Sequence, residues 1–123
     1  MDKKEKAVSF LKMAASGEVK AAYDQFIAPH FIHHNQYFKG DRQSLMDGME
    51  EAHKQSPNKT INIKYVYQDG ETVITHSLVL RQNQQDPSVA VVHIFRFENE
   101  QIVELWDLGQ LIDKNSPNEK GLF

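Results

Sequence analysis

The 123-residue sequence contains no cysteine. A disulfide framework, a thiolate nucleophile and every cysteine-held zinc or iron-sulfur centre are therefore excluded. Charge of one sign is not in excess either. The 14 basic and 17 acidic residues leave a net charge of −3 and are spread along the chain, so no basic stripe follows a phosphate backbone and no nucleic-acid partner is expected. Long apolar runs are missing too. In the opening MDKKEKAVSFLKMAAS, Lys12 interrupts the apolar residues, whereas a signal peptide needs about 7 to 15 of them in a row and a membrane span about 20. A soluble, cytoplasmic protein without membrane association is expected. No Gly-rich phosphate loop, G-x-S-x-G elbow or H-E-x-x-H pair occurs, so nucleotide binding, serine hydrolysis and zincin chemistry lack their mechanical parts. The reading carries no metal and no cofactor.

What is present fits one domain over residues 1–123, with a hydrophobic content of 40% that is enough for a core. Apolar residues recur at helical spacing in Lys4 to Ala15 and again in Glu18 to Phe26, and Gly17 separates the two predicted helices. A third helix follows Asp41-Arg42-Gln43-Ser44, with Leu45, Met46, Met49 and Ala52 facing inward, and ends near Ser56-Pro57-Asn58. The period then changes to two. Ile61 to Tyr67 and Thr72 to Arg81 read as strands joined by an Asp69-Gly70 turn, and Val89 to Gln110 reads as a long hairpin turning at Glu98 to Gln101. Gln82 to Ser88 is a polar connection, and about 113–123 is a polar tail. Helices followed by four strands predict an α+β chain whose helices cover one face of a curved, mostly antiparallel sheet.

Polar residues interrupt two apolar stretches. His93, Arg96, Glu104 and Asp107 occupy the final hairpin, and His33, His34 and Asn35 stand among Phe31, Tyr37 and Phe38 in Ile27 to Gly40, a loop or short strand. An unsatisfied polar group on a packed sheet costs about 1 to 3 kcal/mol, so such residues are paired or used. The hairpin raises a question of facing. If Glu98 pairs with Gln101 across a two-residue turn, unbroken alternation sets His93 opposite Trp106 and turns Asp107 to the other side, and only a bulge would bring Asp107 back.

His34-Asn35 followed by Gly40, and the segment VVHIFRFENEQIVELWDLGQ, resemble the SnoaL-like proteins of the nuclear transport factor two superfamily. The resemblance implies a cone-shaped α+β barrel with an apolar cavity open at one end. It also implies a cavity aspartate acting as general acid/base in an intramolecular aldol closure, with Asp107 as the matching residue. The expected enzyme performs cofactor-free acid/base chemistry, an aldol cyclisation or isomerisation, on an apolar carbonyl compound. Asp107 would move the proton, and His93 and His34 would donate hydrogen bonds to the oxyanion. Trp106, Phe95, Phe31, Tyr37, Phe38, Asn35 and His76 would contact a small apolar or aromatic ligand. The alternative is a protein that holds such a ligand without converting it. Apolar residues on both faces of the strands predict a second layer outside the sheet, most simply a second copy in a homodimer.

Overall fold

The computed structural model describes residues 1–81 and 87–123, so most of the polar connection expected over Gln82 to Ser88 lies outside the described residues. Helix α1, Lys3–Ala15, starts with a capping box. The Asp2 carboxylate accepts the Glu5 amide at 2.8 Å, and the Glu5 carboxylate accepts the Asp2 amide at 3.1 Å, which satisfies two otherwise orphaned donors. Helix α2, Val19–Phe26, buries Val19, Ala22, Tyr23 and Phe26. Helix α3, Arg42–Gln55, is capped by Asp41, whose side chain accepts the Ser44 amide at 3.0 Å. Of the face read from sequence in α3, Leu45 and Met46 are buried and Met49 is partly buried, but Ala52 is exposed.

The sheet has five strands among the described residues, one more than the periodicity predicts. Strand β1, Ile27–His33, follows α2 directly and runs parallel to the last strand at the sheet edge. Its signal was masked because Pro29 and His30 are exposed, as suits an edge strand on which proline is tolerated. Strands β2, Thr60–Asp69, β3, Thr72–Leu80, β4, Val89–Glu98, and β5, Gln101–Leu111, form an antiparallel meander, so the sheet order is β1-β5-β4-β3-β2. The helices pack inside its curve: α1 meets β2 and β3, and α3 meets β1. Phe10, Tyr23, Phe31, Phe95, Phe97 and Leu105 meet there as the core.

The β4–β5 turn has Asn99 at φ 49° and Glu100 at φ 67°, the two positive dihedrals of a type I′ hairpin. Glu100 lacks the freedom of the usual glycine. Two lysines of α1 hold it: Lys6 Nζ donates to the Glu100 carbonyl at 2.9 Å, and Lys3 Nζ reaches its carboxylate at 3.4 Å. Glu98 pairs with Gln101 as expected, and Phe97 with Ile102, but Arg96 pairs with Glu104. Val103 is the extra residue of a bulge. Both Ile102 and Val103 are buried, and every later side chain of β5 changes face.

The outer face carries Tyr65, Tyr67, Ile74, His76, Leu78, Val92, Trp106 and Leu108. It is partly covered by the end of the otherwise polar tail. Phe123 stacks on His76 with ring centroids 4.8 Å apart, and Leu122 lies by Ala90 and Val92. No helix of the described residues is long and apolar enough to cross a membrane.

Candidate functional site

The bulge decides the site. With Val103 looped into β5, Asp107 stands opposite His93 on the inner face, where unbroken alternation would have put Trp106. The Asp107 Oδ1 atom lies 3.6 Å from His93 Nε2, and its Oδ2 accepts a hydrogen bond from Asn35 Nδ2 at 2.9 Å. Burial lowers the pKa of His93 below the ordinary value of 6.5, while the Asp107 charge pulls it up. Burial prevails, leaving the imidazole neutral near pH 7. A neutral ring facing a carboxylate is best accommodated with its proton on Nε2, the nitrogen nearer the negative oxygen.

Asn35 is fixed from behind by the chain that leaves β1. Its own amide N–H donates to His33 Nδ1 at 3.0 Å, and its Oδ1 accepts the Tyr37 amide at 3.0 Å. The acceptor end is therefore occupied, and the amide nitrogen must turn to Asp107. His33, which is buried, donates from Nε2 to the Lys39 carbonyl, so its tautomer is set by the same turn. The series His33, Asn35, Asp107, His93 joins the β1–α3 loop to the middle of the sheet.

Two hollows meet at Asp107. One, of about 540 Å³, is walled by Val79, Val89, Val91 and His93 with Ala52 of α3; the other, of about 450 Å³, lies by His34, Asn35 and Tyr37. Both share Val89, Val91 and Asp107. Beside this carboxylate, His93 Nδ1, Thr75 Oγ1 and Ser77 Oγ are buried without a hydrogen-bond partner. Thr75 pairs directly with His93 across the β3–β4 ladder, and Ser77 with Val91. Buried polar atoms in native proteins are usually satisfied by protein, water or ligand; of these three residues only His93 borders a hollow. Below it, burial raises the Tyr23 phenol well above its ordinary pKa, and the phenol donates to Met49 Sδ at 3.4 Å.

A family model described as the SnoaL-like domain matches residues 7–105. The chain belongs to the SnoaL-like family. Solved structures agree on the fold. A cystatin-fold protein of Novosphingobium aromaticivorans is 19% identical with a TM-score of 0.73, covering 88% of this chain and 98% of its own. A candidate polyketide cyclase of Acidithiobacillus ferrooxidans is 16% identical, with a TM-score of 0.70 over 89% and 92% of the two chains. IdmH of Streptomyces antibioticus, also a candidate polyketide cyclase, is 14% identical, with a TM-score of 0.71 over 89% and 93%. No curated protein matches the sequence.

Within this SnoaL-like domain the expected site residues divide between two faces. Asp107, His93 and Asn35 meet inside. His34 is not aimed with His93 at a common point: its Nε2 bonds Glu104 Oε2 at 2.6 Å, and its ring stacks on Trp106 with centroids 4.8 Å apart. Trp106 and His76 lie on the outer face, so neither is placed to pack on a ligand inside the curve. The same Val103 bulge that brings Asp107 inward turns Trp106 outward. Phe31 and Phe95 are buried in the core and support His33 and His93 from below rather than lining open space. Tyr37, 79% exposed, stands at the edge of the second hollow. Phe38 packs against α3 at Gly48, where an added Cβ would come within 2.5 Å of its ring.

Thr75 and Ser77 were missed. In sequence they alternate with Ile74, His76 and Leu78, so the more apolar set looked like the buried one. The inner position of His93, paired with Thr75, is the signal that would have found them. Among the described residues no group of three His, Asp or Glu side chains is arranged to hold a metal ion.

Proposed function

We propose that this SnoaL-like domain binds a small apolar carbonyl compound and moves a proton on it without a cofactor, as in an aldol cyclisation or an isomerisation. The observation that supports it most is the Asp107 carboxylate, held by Asn35 and faced by a neutral His93 where two hollows meet. Asp107 takes the proton next to the carbonyl. Asn35 is a positioning residue that fixes the plane of that carboxylate. His93, which borders the same hollow, is the donor placed to follow the charge change.

Proton abstraction can be read without the natural substrate. Small cyclic ketones and 1,3-diketones incubated in D2O should exchange their α-protons faster with the protein than without it, followed by proton NMR. Asp107→Asn should lower that exchange by about 10²- to 10⁴-fold, the usual contribution of a positioned acid/base group, with unchanged thermal unfolding. An Asp107→Asn protein exchanging at the wild-type rate would remove Asp107 from the chemistry. Binding of these compounds without exchange would favour the second reading, a carrier of small hydrophobic molecules, which is supported by the hydrogen bond that Asn35 already makes to Asp107.

The same domain is proposed to pair with a second copy through the outer sheet face. Tyr67, Leu80 and Leu108 are 59%, 43% and 58% exposed there, and the tail covers only the patch around His76. Tyr67→Glu with Leu108→Glu should shift the light-scattering mass from two chains to one at micromolar concentration. A wild-type mass of one chain would sink the proposal.

A further inference from the structure

Lys59 and Arg81 form a pair of like charges at one end of the larger of the two hollows. They flank the last bonded pair of the β2–β3 ladder, Thr60 with Leu80, so they are the next two residues in register. Both line the hollow that contains His93 and Asp107. Arg81 also continues the inward series Val73, Thr75, Ser77 and Val79. Lys59 is partly buried, and its pKa is drawn down from the ordinary 10.5 first by that burial and then by the charge of Arg81. Among the described residues neither cation has a carboxylate within ion-pair distance.

This arrangement is unfavourable for the empty protein. Two positive charges side by side repel, and partial burial weakens the water screening that would relieve them. An organic anion entering the hollow would relieve both costs, because charge-assisted hydrogen bonds from arginine and lysine to a carboxylate are among the stronger ones.

We propose that the molecule held in this hollow is an organic acid whose carboxylate is bound by Lys59 and Arg81, while its apolar body lies along Val79, Val89 and Val91 toward Asp107. The inference rests on the acid/base reading above only for what happens at the far end. The carboxylate would be remote from the reacting carbon: Thr75, opposite His93, and Arg81 are six residues apart on one strand, roughly 20 Å at the usual rise. The negative charge of the ligand is thereby kept away from that of Asp107.

The test compares 2-naphthoate, its methyl ester and 2-naphthyl phosphate by titration calorimetry at low salt. The wild type should bind the carboxylate about tenfold or more tighter than the ester, the difference expected for one charge-assisted contact. Raising salt should narrow that gap. Lys59→Gln with Arg81→Gln should abolish the preference without lowering the melting temperature, and either single change should remove part of it. Asp107→Asn should keep or increase the preference, since it removes a negative charge from the same hollow. Equal binding of acid and ester, a preference surviving in the double variant, or no binding of any probe at millimolar concentration would each overturn the proposal. Binding of the phosphate tighter than the carboxylate by tenfold or more would overturn the assignment to a carboxylic acid. Loss of charge preference with deuterium exchange intact would defeat this inference alone, and the reverse would defeat the acid/base reading alone.

Discussion

The β4–β5 hairpin carries two clusters back to back, each with a histidine beside a carboxylate, and the two behave oppositely. Inside, His93 and Asp107 approach to 3.6 Å with little exposure of either side chain. Outside, His34 and Glu104 approach to 2.6 Å, with His34 45% exposed and Arg96 also on the carboxylate. Burial governs the inner pair and holds the imidazole below its ordinary pKa. Pairing governs the outer one: the hydrogen bond from His34 lowers the Glu104 pKa, burial opposes it, and Arg96 lowers it further. Similar side chains thus become a buried pair on one face and a structural clasp on the other. The clasp ties the end of β1 to the strand that carries Asp107, so the outer cluster braces the inner one.

Pairing with β4 sets the two faces, and a deletion tests this. Without Val103, Ile102 still meets Phe97 and Glu104 still meets Arg96, so the bulge disappears while Asp107 stays opposite His93 and Trp106 stays outside. Only the buried valine is lost, at a cost of about 1 to 3 kcal/mol in urea unfolding. Val103→Ala, which keeps the extra residue, should lose a similar amount or less through the vacated space. A deletion protein that no longer unfolds cooperatively would show that pairing across the hairpin does not set the two faces.

The sequence displayed the helices well because Asp2 with Glu5, Gly17 and Asp41 mark their ends and the buried residues follow helical spacing. The meander was equally legible from its alternation and turns. Strand β1 was not, since a short edge strand paired in parallel buries too few consecutive residues to show a period of two. The site was half legible. Asp107, His93 and Asn35 stood out as polar residues in apolar surroundings, but their convergence depends on Val103, and Ile102-Val103 reads as an ordinary apolar pair. Alternation fixes facing only relative to the last irregularity, so one bulge exchanged the roles of Trp106 and Asp107. The resemblance joins His34 to His93 at one oxyanion, yet the His34 ring lies against Trp106, which the bulge carries outside, and His34 borders only the second hollow.

The smallest effects, those of pH, separate the two clusters most directly. His93 has a lowered pKa in the folded protein, so below the ordinary value of 6.5 the unfolded chain takes up a proton that the folded one refuses. Its contribution is therefore full above pH 6.5 and declines as the pH falls through that value toward the folded pKa. Glu104 has a lowered pKa as well, but for a carboxylate the unfolded chain takes up its proton first, beginning around the ordinary 4.5. The stability it supplies is present above 4.5 and is lost as the pH falls below that value through the folded pKa. His93→Gln, which keeps a side-chain N–H and cannot titrate, should flatten the decline just below pH 6.5 in urea unfolding and leave the lower limb unchanged. Glu104→Gln should do the opposite, with a loss at neutral pH of about 1 kcal/mol or less, as for a partly solvated ion pair. If His93→Gln leaves the upper limb unchanged, burial is not what distinguishes the inner histidine, and the contrast between the two faces fails at its physical cause.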